Sequence, residues 1–392
     1  MKKTVFFLVL VILLSSCKSH KVINIISKSK TSQVNFNREI DFDYVEKHIF
    51  IEVEINGKVY NFLFDTGWEI TSIDESLKAE MGFKKSTSIT GSGSSFESYE
   101  MDLGTIPNLT LDSVLFESVG IVVHNMNQIN EYYACYERID GILGTNILQN
   151  ANWQIDYEAK KIRFSDDIIN LKIGDNATVI NVTPRIRSKL GVKRVKATFD
   201  SQNINFIFDT GSSGGFSGNP ALLDSFSNSK VVRVMKRSAA TENDSYINSI
   251  VFIKSAFLDS FEVKNTQLSL EKGVSQLVGN DFFEHFIVTI DWSENKFYLK
   301  PVSEIQIENR IYHGFTFKPN YKTNSIAVSG MATENMIDVK LGSQLISING
   351  IDLTNLSKTE FCNFWNNSWQ NIIKMDEVLI EIQGGEQPIL LK

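Results

Sequence analysis

The stretch NFLFDTGWEI, Asn61 to Ile70, is written again as NFIFDTGSSG, Asn205 to Gly214. Each copy is an apolar, strand-forming run that ends in Asp-Thr-Gly. A shift of 144 lays Asn61 on Asn205, Phe62 on Phe206, Phe64 on Phe208 and Asp65 on Asp209. Upstream, Ile51-Glu52-Val53-Glu54-Ile55 alternates as a half-buried strand does, and Asn56-Gly57 supplies a tight hairpin turn. Val195 to Phe199, with a turn at Asp200-Ser201-Gln202, holds the same place ahead of the second copy.

A second block is also doubled. ILGTNILQNANWQIDYEAKKIRF begins at Ile142 and LVGNDFFEHFIVTIDWSENKFYL at Leu277, a shift of 135. The first copy therefore holds nine extra residues between its blocks, and a surface loop is the expected place for them. Two copies of one fold follow each other along the chain. Both are mainly β, with short β-branched and aromatic runs punctuated by Gly, Asn, Asp and Ser. Helices are expected to be few. Ser72 with Glu75 reads as a capping box, with Gly82 as the stop, and Asn219-Pro220 starts a comparable helix in the second copy.

The 392 residues suffice for two or three domains with proper cores. A formal charge of −7 lacks the basic surplus of a nucleic-acid binder, so no nucleic-acid partner is expected. Five His and three Cys show no zinc-ligand spacing, and neither a metal nor another cofactor is expected.

Lys2 and Lys3 precede the apolar run Val5 to Leu14, which is too short to span a bilayer as a helix and reads as a signal-peptide core. Leu14-Ser15-Ser16-Cys17 follows and resembles the lipobox of bacterial lipoproteins. That resemblance implies cleavage before Cys17, lipidation of its thiol and anchoring to a membrane of the bacterial cell envelope. The plainer reading is a soluble secreted protein. Polar residues 17–38 read as a tether. Cys135 and Cys362 lie far apart in sequence and in different domains, and are expected as two free thiols.

The doubled Asp-Thr-Gly carries the chemistry. A carboxyl at the tip of a buried strand is desolvated, and a second one beside it prevents both from ionising. One carboxylate can then deprotonate water while the other protonates a carbonyl, which is general acid–base hydrolysis without a metal. Gly67 and Gly211 let backbone N–H groups approach the carboxylates, and Thr66 and Thr210 can bond across the interface.

These residues resemble the aspartic peptidases, specifically their retropepsin-like bacterial branch, over roughly Val34 to Lys300. The resemblance implies two homologous acid-protease β-lobes forming one cleft, Asp65 and Asp209 as catalytic residues, and a polypeptide substrate. It also implies a hydrophobic-hydrophobic-Gly strand behind each loop, matched by Ile142-Leu143-Gly144 and Leu277-Val278-Gly279. ITGSGSSFESYEM, Ile89 to Met101, sits where a flap belongs, with Gly91 and Gly93 able to form its tip; an ordinary surface hairpin fits the same residues. The family commonly has Ser, Thr or Ala after the motif. Ser212 fits and is expected to donate to Asp209, leaving the shared proton mostly on Asp65. Trp68 departs from the pattern and reads as a core or pocket aromatic.

From about Arg310 the repeat has no counterpart. VKLGSQLISINGIDL, Val339 to Leu353, resembles a PDZ-domain strand ending in an Asn-Gly turn, although Ser343 replaces the usual Asp. The resemblance implies a small α+β domain with a C-terminal peptide as ligand, and places its peptide-accepting loop at Gly314-Phe315-Thr316-Phe317. The plainer reading is a β-rich cap on the second lobe. The expected domains are thus a signal peptide 1–16, a tether 17–38, lobes 39–172 and 173–305, and a PDZ-like domain 310–392.

Three competitors remain. Gly211-Ser212-Ser213-Gly214-Gly215 matches the serine-hydrolase elbow, but the long helices of that fold are missing. The same stretch lacks the Gly-Lys-Ser/Thr ending of a P-loop. An inactive peptide-binding lipoprotein on the same scaffold is the third. The retained motifs argue against it, because paired buried carboxylates cost stability without a use.

Overall fold

The computed structural model describes residues 22–92, 98–184, 191–199, 202–225, 230–238, 245–305, 314–333 and 339–391. Cys17, the signal segment, the flap tip with Gly93, and Asp200-Ser201 lie outside them.

The chain is mainly β, and its two halves repeat one strand order. In the first half, His48–Ile55 and Lys58–Phe64 form a hairpin, turning at Asn56 and Gly57 with φ of 54° and 76°. Gly141–Leu143 then inserts beside Lys58–Phe64 in parallel, followed across the sheet by Ser72–Asp74, Val114–His124, Ser98–Leu111 and Lys84–Ser92. In the second half the same succession reads Lys193–Phe199, Gln202–Phe208, Leu277–Val278, Phe216–Gly218, Phe261–Glu271, Ser245–Leu258 and Lys230–Ser238.

Between the halves runs a bridging sheet. Its order is Asn37–Asp41, Lys161–Ser165, Asn152–Asp156, Phe286–Asp291, Lys296–Pro301 and Thr178–Pro184. The two central strands are the doubled second block, paired antiparallel about Gln154 and Thr289. Aromatic packing joins this sheet to the Asp-Thr-Gly strands. Phe64 meets Trp153 at 5.3 Å, Phe208 meets Phe297 at 4.3 Å, and all four are fully buried. Burial of such large rings is the main driving term for holding the two motifs in place.

Three expectations are corrected. The stretch read as a tether is docked from residue 22 onward. Ile25, Ile26 and Phe36 are buried, and the Ser29 hydroxyl accepts from the Gly120 N–H at 2.9 Å. Polar neighbours masked these few apolar residues, which suffice to seat the segment against Met101, Leu103 and Val122. The Ser72–Glu75 capping box does not form either. Ser72 belongs to the strand Ser72–Asp74, and Asp74 caps a single turn, Glu75–Leu77, by accepting from the Ser76 N–H. Cys135 and Cys362, finally, form a disulfide with Cα atoms 5.1 Å apart. The loop between His124 and Gly141 carries the helix Asn127–Tyr132 and folds onto the C-terminal segment, bringing together cysteines 227 residues apart.

That segment forms a hairpin, Phe315–Asn320 with Ser325–Ala332, whose second strand pairs with Lys230–Ser238 of the second half. A four-stranded sheet follows, with Leu345–Ile348 turning through Asn349 and Gly350 into Ile351–Asp352. Val378–Ile382 and Ile389–Leu391 complete it. A helix packs on it as three continuous pieces, Lys358–Asn363, the π-helical Phe364–Trp369, and Gln370–Ile372. Its core, including Phe315, Val328, Ile380, Trp365 and Trp369, is separate from the core of the two halves.

Candidate active site

Each Asp-Thr-Gly follows directly from its strand, and the inserted parallel strand behind it fixes the exit. The Asp65 N–H donates to the Leu143 carbonyl at 3.1 Å, and the Asp209 N–H to that of Val278 at 3.0 Å. Gly144 and Gly279 stand just past these strands, where backbone leaves no room for a side chain. A Cβ on Gly144 would lie 2.9 Å from the Trp68 carbonyl oxygen, and one on Gly279 would lie 2.3 Å from that of Ser212. The same two carbonyls accept from the Thr145 and Asn280 N–H groups, both at 2.8 Å.

The two threonines interlock. The Thr66 N–H donates to Thr210 Oγ1 at 3.1 Å, and the Thr210 N–H donates to Thr66 Oγ1 at 3.0 Å. Each hydroxyl donates in turn across the interface, Thr66 to the Phe208 carbonyl at 2.8 Å and Thr210 to that of Phe64 at 2.9 Å. Both residues are buried. Four bonds out of water thus tie the loops into one unit.

This grip sets each carboxyl over the other loop's glycine. A Cβ on Gly67 would lie 2.5 Å from Asp209 Cγ, and one on Gly211 would lie 2.2 Å from Asp65 Oδ2. The close approach demands glycine at both positions. Asp65 is buried and Asp209 half-buried, and the two carboxyls hydrogen-bond to each other.

Burial raises the Asp65 carboxyl to about 6, against the lowering effect of the Gly67 N–H at 2.7 Å, the Asp209 side chain and the Trp68 N–H. Burial and then the charge of Asp65 raise Asp209 well above the carboxylate range, opposed by the Gly211 N–H at 2.9 Å. Both carboxyls are raised, so the pair holds a single proton between them. The hydroxyl bond expected from Ser212 to Asp209 does not form. The Ser212 carbonyl and N–H are used in backbone bonds, while its hydroxyl makes no bond to Asp209 among the described residues.

Trp68 is half-buried, and its indole N–H donates to Ser72 Oγ at 2.7 Å. Its ring packs with the cluster of Phe50, Leu63, Met126, Tyr133 and Ile142. Thr66, Gly67, Thr210, Gly211 and the two aspartates therefore meet at one point, with Ser212, Gly144 and Gly279 immediately behind. Gly91 lies in the hairpin of Lys84–Ser92 with Ser98–Leu111, paired with Tyr99.

Sequence reasoning missed a set of groups that brace the loops. Asn280 donates to the Thr210 carbonyl and to that of Lys47, both at 2.7 Å, and accepts from the Tyr157 hydroxyl at 2.8 Å. The Lys47 ammonium bridges from the first half to Asp281 and Glu284. Burial opposes its charge, but Asp281 and Glu284 outweigh burial and raise its pKa. The only signal was position: Asn280 and Asp281 immediately follow the repeated Gly279.

Residues 51–147 match the family model described as Aspartyl protease. The matched range contains the first Asp-Thr-Gly and its Gly144 strand, and the second copy lies beyond it. The match supports an aspartyl protease family and protease activity in general. No curated protein matches the chain.

Proposed function

We propose that this protein is an aspartic endopeptidase in which two homologous retropepsin-like lobes, residues 39–172 and 173–305, close one cleft around Asp65 and Asp209. The observation that carries the reading is the reciprocal seating of each carboxyl on the other loop's glycine, held by the Thr66–Thr210 grip. The ionised carboxylate of the pair removes a proton from water as the water attacks the peptide carbonyl. Its protonated partner donates to the carbonyl oxygen, giving a tetrahedral diol. Collapse of that diol, with a proton passed to the leaving nitrogen, breaks the C–N bond and restores the shared proton.

Trp68 does not favour an inactive scaffold, because its indole is spent on Ser72 and its ring on an apolar cluster. The test is hydrolysis of a denatured protein mixture, with new termini read by mass spectrometry. Asp65→Asn and Asp209→Asn should each lower turnover at least about a thousandfold while the far-ultraviolet spectrum is kept. Near-normal turnover by either variant would defeat the reading.

The proposal extends to the ends of the chain. Residues 310–392 are read as a PDZ-like domain with a peptide ligand, and Cys17 as a lipid anchor in the bacterial envelope. The disulfide supports an oxidising compartment. Cys17→Ala should shift the protein to the soluble fraction or leave it unprocessed.

A further inference from the structure

A cavity of about 870 Å³ lies where the three parts of the molecule meet. Its size is within the range of ligand sites, about 300–1,000 Å³. One wall is the first half's turn and loop, including Tyr136. Another is Ser213, four residues past Asp209 in the same loop. The third is the C-terminal segment, with Lys318 on its hairpin and Trp365, Asn366 and Gln370 on its helix.

The C-terminal wall is fixed rather than hung from a linker. The Cys135–Cys362 disulfide joins it to the first half, and the Trp365 indole donates to Glu46 at 2.9 Å. Lys322 pairs with Glu131 at 2.8 Å, and Ser325–Ala332 pairs with a strand of the second half. Anchors on both halves hold the groove in one geometry, which lowers the ordering cost of binding.

The lining mixes aromatic and polar groups and includes Glu46 and the Lys47–Glu284 ion pair. Trp365 and Trp369 stack at 5.2 Å as an aromatic floor, and Lys318, Asn366 and Gln370 form an exposed polar rim. A floor for a large apolar side chain beneath amide groups able to bond a backbone suits an extended polypeptide. Ser213 stands in the loop that carries Asp209, which favours as occupant a flank of the polypeptide that reaches the aspartates.

We propose that this groove is a substrate subsite remote from the scissile bond. The C-terminal segment would form its outer wall and bind a flank of the polypeptide being cut, with a bulky apolar side chain over Trp365 and Trp369. The inference rests on the peptidase reading above and adds where specificity resides.

The test uses the full chain and two quenched fluorescent peptides sharing one cleavage sequence. The short one covers only the cleft, and the long one adds six residues containing Leu or Phe on each side. The wild-type protein should show kcat/KM for the long peptide roughly tenfold above that for the short one, mostly through KM. Gln370→Trp, which fills the groove from the helix, and Lys318→Glu, on the facing hairpin, should each bring that ratio toward one. Cleavage of both peptides with equal efficiency, or a ratio unmoved by both variants, overturns the subsite and leaves the peptidase intact. Failure of the wild type to cleave either peptide removes the peptidase reading and the subsite with it.

Discussion

Gln154 and Thr289 face each other across the two halves, and the Gln154 side-chain amide donates to Thr289 Oγ1 at 2.9 Å. They are the same position of the repeat, since 154 plus 135 is 289. Thr66 and Thr210 are likewise one position, 144 apart, and they too bond to each other. Two self-pairings of equivalent residues define an approximate two-fold axis. It runs from the bridging sheet to the point where the carboxyls meet, so each loop presents its aspartate to the other's glycine.

The pH dependence follows from the upward shift of both carboxyls. The singly protonated pair is the working form. Asp65 is raised to about 6 and Asp209 well above the carboxylate range, so both limbs of kcat/KM move up from where free carboxyls titrate. The maximum should lie at about pH 6 or above. A profile falling away above pH 5 would contradict it.

The same shifts predict a stability effect of opposite sign to the usual paired carboxylate. Both folded pKa values lie above that of an unfolded Asp, so the native state binds more protons, and stability falls as pH rises from about 4 through 6. Asp65→Asn should therefore stabilise the protein at pH 7.5 by roughly 1–3 kcal/mol, with the gain vanishing toward pH 4. Urea unfolding at the two pH values measures this.

Removing one hydroxyl of the grip orphans a buried N–H and a buried carbonyl. Thr66→Val or Thr210→Val should cost about 2–4 kcal/mol and most of the activity, whereas Thr→Ser at either site should retain both. Chemical denaturation alongside peptide turnover separates the two effects.

Gly211→Ala would drive a methyl into the Asp65 carboxyl, and Gly67→Ala one into Asp209. Either should reduce kcat at least about a hundredfold by displacing a carboxyl from its partner. An alanine variant with normal kcat would mean the loops sit further apart than described.

Breaking the Cys135–Cys362 bond removes a constraint on a long loop. The Cys135→Ser, Cys362→Ser double variant should lose about 2–4 kcal/mol by thermal or urea unfolding. Reducing agent should lower the wild type to the level of the variant and leave the variant unmoved.

The sequence by itself determined the repeat, and through it the register of everything on the approximate two-fold axis. Strand alternation, Asn56-Gly57 and the doubled Asp-Thr-Gly are local signals, dictated by backbone sterics and by periodicity of burial. A duplicated local signal also carries its own long-range pairing, because equivalent residues meet on the axis.

Tertiary structure alone decided whatever lacks a duplicate. The Cys135–Cys362 bond, the docking of Ile25 and Ile26, and the Lys47 cluster each depend on which surfaces face one another after folding.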